Sequence, residues 1–385
     1  MKMVAWARLA LAAPLLLSGC KGFWDAPTTT SGGGTGTTTA SSGNFYVLNA
    51  AKDEIAGEYV NKGTVTALAG SPYPLPDAPI AIAVAPNGNF LYVSTVSGIY
   101  LYAIASSGQL TLGNTGAPIS ADAAASMQVD ATNSWLVEAV SGTGEVFAIP
   151  INSSTGAMTS TVEQRAILPG AAIQQLAISP DDLRVFVAMG LDGTAIVPFN
   201  SGVTNPFGTV SAIGVEKTGG AALSVAVDPL DRIFYIGETA ATTGSNTGGL
   251  RAFDLATMKE IAGSPFASQG LAPYGILPFS TGGYVYVVNR QVSGSSTGVI
   301  AGFALGSTSG VYSLTALGST FAAGTNPVAL AEDSTGTFVF AVNYGGSPDL
   351  TGYTLDATKV GYLDQVVTAA TGTDPVNVTA IAAAP

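Results

Sequence analysis

The sequence predicts an all-β fold: a seven-bladed β-propeller closed by pairing of its N- and C-terminal strands. Three observations carry the prediction. A short unit, made of an apolar strand, a tight turn and a second strand of β-branched and aromatic residues, recurs at intervals of 45 to 54 residues. That period and that composition are those of propeller blades. The two ends of the folded region are complementary halves of the unit. Within the first strands, one column is large and the next mostly small, as expected for sheets buried between two neighbours.

Residues 1–19 stand apart from the repeat. Lys2 and Arg8 make a positive end, and residues 9–17 form an apolar stretch too short to span a bilayer. Leu17-Ser18-Gly19-Cys20 resembles a bacterial lipobox, which implies cleavage before Cys20 and acylation of its thiol. Cys20 is the only cysteine, so no disulfide forms within one chain. Lys21 follows it where an Asp would signal retention. By that resemblance the protein is a cell-envelope lipoprotein, sorted to the outer membrane where there are two membranes and otherwise to the cell surface. The remainder of residues 20–43 is rich in Thr, Ser and Gly and reads as a flexible tether.

The propeller is expected over residues 44–385. It opens on Asn44-Phe45-Tyr46-Val47-Leu48-Asn49, a second strand with no first strand before it. Complete copies follow, the clearest being Pro79-Ile80-Ala81-Ile82-Ala83-Val84, the turn Asn87-Gly88, and Phe90-Leu91-Tyr92-Val93. Later second strands are Trp135-Leu136-Val137, Val185-Phe186-Val187, Ile233-Phe234-Tyr235-Ile236, Tyr284-Val285-Tyr286-Val287 and Phe338-Val339-Phe340-Ala341, all suited to a pleated, buried surface. Turn formers such as Asp181-Asp182 and Thr335-Gly336 precede them. A third apolar strand, for instance Ile99-Tyr100-Leu101-Tyr102, usually comes next. The chain ends on Val376-Asn377-Val378-Thr379-Ala380-Ile381-Ala382, a first strand with no second. Joined to the opening strand it makes one composite blade, which leaves no free sheet edge at the seam.

Removal of Lys2 and Arg8 with the leader leaves 11 basic residues against 25 acidic ones, a net charge of −14. A domain so acidic lacks the basic footprint that nucleic acid requires. Histidine is absent, which removes imidazole general bases, Ser-His-Asp and Cys-His catalysis and the usual zinc sites. No metal or cofactor is expected. Gly294-Ser295-Ser296-Thr297-Gly298 matches a nucleophile-elbow pattern, yet it lies in a polar loop with no base to activate it, and reads as a turn. Asp130, Asp228 and Asp333 share the column just before the turn, where carboxylates brace backbone amides.

The loops that leave the second strands emerge on one rim of the ring, where propellers commonly bind ligands. They carry the candidates Asn49, Asp53, Asp192, Glu238, Asn289, Arg290, Asn343 and Tyr344. Arg290 stands out because basic residues are scarce, and its guanidinium suits a carboxylate or phosphate. Glu332 is a further candidate, since its column otherwise holds Val84, Val129, Ile178, Val227, Pro278 and Ala383. A carboxylate there is costly unless paired or open to the channel.

Tyr46-Val47-Leu48-Asn49, Tyr286-Val287-Val288-Asn289 and Phe340-Ala341-Val342-Asn343 resemble the Tyr-Val-Thr-Asn repeats of YVTN-type propellers. Asn343-Tyr344-Gly345-Gly346 and Gly263-Ser264-Pro265-Phe266 resemble segments of the lactonase-type seven-bladed propellers. The resemblance spans residues 44–385. The family includes 6-phosphogluconolactonase-like and muconate-cycloisomerase-like enzymes; the second chemistry depends on histidine and is set aside. The leading expectation is a monomeric, lipid-anchored binding module for an envelope protein, glycan or small ligand. One alternative is a lactone hydrolase in which Arg290 orients a carboxylate and Glu238 activates water. The other is a structural envelope module.

Overall fold

The computed structural model describes residues 43–61, 64–159, 163–344, 348–369 and 381–384. The lipobox with Cys20, almost all of the tether, Gly345-Gly346 and the first half of the last strand lie outside the described residues. Seven antiparallel sheets follow one another around a ring. Blade 1 spans residues 79–112, blade 2 124–167, blade 3 175–213, blade 4 222–267, blade 5 273–325 and blade 6 327–369.

Blade 7 is the composite one. Ile381–Ala383 pairs antiparallel with Asn44–Asn49, with Phe45 opposite Ala383 and Val47 opposite Ile381. Glu54–Asn61 and Thr64–Ala67 complete the sheet. The closure expected from the chain ends is therefore present. Each blade also carries a fourth, outermost strand that is short or exposed, such as Ser211–Ile213 and Lys259–Glu260.

First strands are innermost and line the channel. The large column is buried at Ile82, Met127, Leu176, Val225, Ile276 and Ile381. Side chains of one blade bond the innermost strand of the next: Ser126 Oγ and Gln128 Oε1 accept Leu176 N and Ile178 N at 3.0 and 2.9 Å, and Gln175 Oε1 accepts Val225 N at 3.1 Å. These bonds occupy part of the inner edge of blades 3 and 4.

Second strands add another tie. The hydroxyls of Tyr46, Tyr92 and Tyr286 donate to the carbonyls of Gly108, Gly156 and Gly361 in the third-to-fourth-strand turn of the following blade, at 2.7, 2.8 and 2.9 Å. A glycine is needed at Gly361, where φ is +82° and an added Cβ would stand 2.3 Å from the Tyr284 ring.

On the rim where first strands turn into second strands, Asp130 accepts from Ser134 N and Trp135 N, and Asp333 from Thr337 N and Phe338 N. Asp228 takes the Arg232 guanidinium at 2.7 Å. These carboxylates brace turns, as their shared column suggests.

Candidate functional site at the channel mouth

The opposite rim, where second strands end and innermost strands begin, contains Arg290. Tyr284–Asn289 delivers it as the first residue past the strand, and its backbone N–H donates to Ala272 O at 2.9 Å. Tyr344 holds the equivalent place in blade 6, with its N–H donating to Asn326 O at 2.9 Å. Both are therefore presented by rigid strand ends.

Tyr274 completes the group. It lies in the innermost strand Pro273–Pro278, where Pro273 faces Asn289 and Gly275 faces Val288, leaving Tyr274 as the extra residue of a β-bulge. Bulges re-aim a side chain, and this one carries the phenol ring to the mouth. The Arg290 guanidinium carbon lies over the rings of Tyr274 and Tyr344, 5.0 and 5.3 Å from their centroids.

No carboxylate of the described structure pairs with Arg290, and its side chain makes no hydrogen bond there. Every other described arginine has an acidic partner: Arg165 with Glu145, Arg184 with Asp181, Arg232 with Asp228, and Arg251 with three glutamates. In a chain of formal charge −12, one half-buried guanidinium without an acidic partner, beside two aromatic rings, has the chemistry to accept an anion. With the rings against its face, its in-plane N–H fork is the part left for a hydrogen-bond acceptor.

The other expected residues are placed differently. Asn289 is fully buried: its Nδ2 donates to Ser268 O at 2.5 Å and its Oδ1 accepts Ser268 Oγ at 2.7 Å. Asn343, equally buried, bonds Pro348 O and Thr351 Oγ1 and accepts Gly324 N. Asn49 bonds Glu54 Oε1 and accepts Ala51 N. These asparagines turn inward and hold loops, instead of facing a ligand. Asp53 and Asp192 lie on the same rim; Asp53 occupies a left-handed turn position with φ +52°, and Asp192 is exposed.

Glu238 is also a correction. It is 1% exposed, accepts Arg251 Nη1 at 2.9 Å and Glu216 N at 2.8 Å, and has no access to a substrate water. Burial pushes its carboxyl upward, while Glu216 N–H and the Arg251 guanidinium pull it back. Glu332 lies on the other rim, bridging blades 5 and 6 by accepting Ser280 N at 2.8 Å and Ser280 Oγ at 2.5 Å. Burial raises its pKa to about 7 against those two donors. Structure brings Arg290 and Tyr344 together from the sequence candidates and adds Tyr274.

Ser295, in the nucleophile-elbow look-alike, sits in a turn and accepts Thr297 N at 3.0 Å. No cluster of metal-ligating side chains exists among the described residues, and no described helix is long and apolar enough to cross a membrane.

The family model described as lactonase, 7-bladed beta-propeller, matches residues 44–173. Solved structures similar to the chain include a proposed 6-phosphogluconolactonase from Bacteroides uniformis, 16% identical, covering 89% of this chain and 99% of that one at a TM-score of 0.68. A periplasmic gluconolactonase from Pseudomonas aeruginosa is 17% identical, covering 90% of this chain and 100% of that one at 0.66. A protein from Lactobacillus plantarum is 18% identical, covering 89% and 99% at 0.62. No curated protein matches the sequence. The fold read from the repeat is borne out: the chain is a seven-bladed propeller, and its first third matches the lactonase-propeller model that the repeat resembles.

Proposed function

We propose that this lactonase-like propeller hydrolyses a lactone of a sugar-derived hydroxy acid, with Arg290 holding the oxygen on which charge develops. The observation that carries the reading is the unpaired guanidinium between Tyr274 and Tyr344 in an otherwise acidic protein. Water gives up a proton as it adds to the ring carbonyl, which places negative charge on the carbonyl oxygen. Collapse breaks the ring C–O bond, the ring oxygen takes up a proton as a hydroxyl, and the acid formed ionises to a carboxylate with release of one proton. A fixed guanidinium stabilises the first and matches the second bidentately. The aromatic rings offer flat walls to a sugar ring. The matched family model and the gluconolactonase names among similar structures support the substrate class.

Glu238 has no part in this scheme because Arg251 occupies it. That fact favours a second reading, a binding module that captures carboxylated ligands at Arg290 without turning them over. Export and anchoring through an acylated Cys20, with the ring acting as a monomer in the envelope, belong to the proposal on the strength of the lipobox resemblance.

The test uses the full chain with a panel of plain and phosphorylated aldonolactones, following proton release, beside Arg290→Ala. Turnover lost in the variant supports hydrolysis. Saturable aldonate binding without turnover, also lost in the variant, moves the conclusion to the binding module. Neither behaviour in a folded sample sinks both.

A further inference from the structure

The seam between blades 1 and 2 holds a carboxyl that the fold leaves unsatisfied. Glu138 is the fourth residue of Trp135–Val140, and its register partner on the innermost strand is Met127. The same register position in the other blades holds Val47, Val93, Val187, Ile236, Val287 and Ala341. Glu138 therefore breaks an aliphatic column. It is 0% exposed, and neither carboxyl oxygen has a hydrogen-bond donor among the described residues. An ionised carboxylate left so is strongly disfavoured.

Its neighbours are acidic as well. Leu136, on the same face of the strand, packs with Phe90, Tyr92, Ile99 and Ile119 of blade 1 and its following connection, so Glu138 turns toward that seam. The connection runs along the third strand of blade 1, with Ile119 N bonding Ile99 O at 2.7 Å and Ile99 N bonding Ser120 O at 2.9 Å. It then presents Asp122, whose N–H donates to Ser120 Oγ at 3.1 Å. Asp122 is the carboxylate against Glu138, and Glu163 adds a more distant negative charge. Burial first, then Asp122 and Glu163, push the Glu138 carboxyl well above its ordinary range.

No cation among the described residues offsets them. The innermost strands Ala124–Val129 and Gln175–Ile178 carry no titratable group. On the third strand of blade 2, Glu145 is engaged by Arg165, which is 64% exposed. From blade 1, Tyr92 donates to Gly156 O, and Tyr100 lies within hydrogen-bond reach of Ser97 Oγ; Tyr102 donates to Pro74 O. Two carboxyls can bond each other only through a proton.

We infer that Glu138 is kept as a neutral acid donating its proton to Asp122, and that this shared proton clips the connection 113–123 to blade 2 at the rim of the mouth. Loss of the proton sets two carboxylates against each other and loosens the clip. The protein thereby carries a proton-operated fastening next to the rim that contains Arg290, independent of what Arg290 binds.

The sign follows from linkage. A carboxyl whose folded value lies above its ordinary 4.5 contributes stability that is complete below that pH and is lost as pH rises toward the folded value. The experiment measures the thermal midpoint of the full chain from pH 5 to pH 9 for wild type and Glu138→Gln, whose amide donates to Asp122 at every pH. The expected result is a shallower decline in the variant, the difference in slope corresponding to about one proton. Limited proteolysis within residues 113–123 should rise with pH in wild type and stay flat in the variant. Infrared spectroscopy at neutral pH should show, beyond the share of Glu332 and Glu58, a protonated-carboxyl band that is lost in Glu138→Gln. Absence of that band, or identical pH slopes, overturns the inference. A midpoint raised by calcium in wild type but not in Glu138→Gln also overturns it, because a cation would then hold the pair.

Discussion

Arg251 Nη1 stands 2.9 Å from Glu238 Oε1, with both side chains buried at 7% and 1% exposure. The same guanidinium takes both oxygens of Glu260, at 3.0 and 2.8 Å, and donates to Gly214 O. Removing the cation strands buried acids, so Arg251→Ala is expected to cost about 3–5 kcal/mol. Glu238→Gln keeps an acceptor for Glu216 N–H and leaves Arg251 paired with Glu260; about 1 kcal/mol is expected. Urea unfolding of the two variants checks the order. Ligand binding per folded molecule should be unchanged in Glu238→Gln; its loss would return Glu238 to the site.

The tyrosine ties between blades give a second prediction. Tyr92→Phe and Tyr286→Phe keep the ring but leave Gly156 O and Gly361 O unpaired in the interior. Each should cost about 1–3 kcal/mol. Gly361→Ala should cost more than either, since it strains a positive φ and drives a methyl into the Tyr284 ring. Equal midpoints for Gly361→Ala and wild type would mean that this turn relaxes without loss.

Innermost and second strands were legible because every blade repeats their apolar pattern under the same packing demand. Outermost strands such as Thr64–Ala67 are short and exposed, so neither hydrophobicity nor period marks them. Asn49, Asn289 and Asn343 looked like ligand groups because they end strands at the mouth; their recurrence in fact answers a need of the repeat, the holding of loops at Gly270 and Gly324 in the latter two. Residues that break the repeat are the informative ones. Glu332 was visible that way, Arg290 through the scarcity of basic residues, and Glu138 was open to the same column comparison as Glu332. Tyr274 was hidden, because a bulge does not show in alternation and an aromatic residue suits a strand interior.

Stability should fall between pH 5 and pH 8. Burial raises Glu332 and Glu58 to about 7 from an ordinary 4.5. The folded state therefore binds the proton more tightly than the unfolded chain, and the contribution is complete below 4.5 and lost as pH rises through about 7. For Glu332 this amounts to a few kcal/mol at most. Glu332→Gln should flatten its share of the decline while keeping an acceptor for Ser280 N–H. A thermal midpoint independent of pH across this window would show that water reaches both carboxylates.

The last prediction separates charge from shape at the mouth. Arg290→Lys keeps the positive charge but loses the planar fork and much of the contact with Tyr274 and Tyr344. Tyr274→Leu keeps the fork and removes one ring, a contact worth about 0.5–2 kcal/mol. Calorimetric titration with gluconate should show the larger loss for Arg290→Lys, tenfold or more if about 1.4 kcal/mol of bidentate bonding disappears. Tyr274→Leu should weaken binding several-fold by letting the guanidinium swing, since its backbone bond to Ala272 does not fix its tip. Both side chains lie at the rim, so thermal midpoints should stay near wild type and the affinity changes report on recognition. Arg290→Lys binding as tightly as wild type would mean that the site reads charge alone, and the case for a planar carboxylate would go with it.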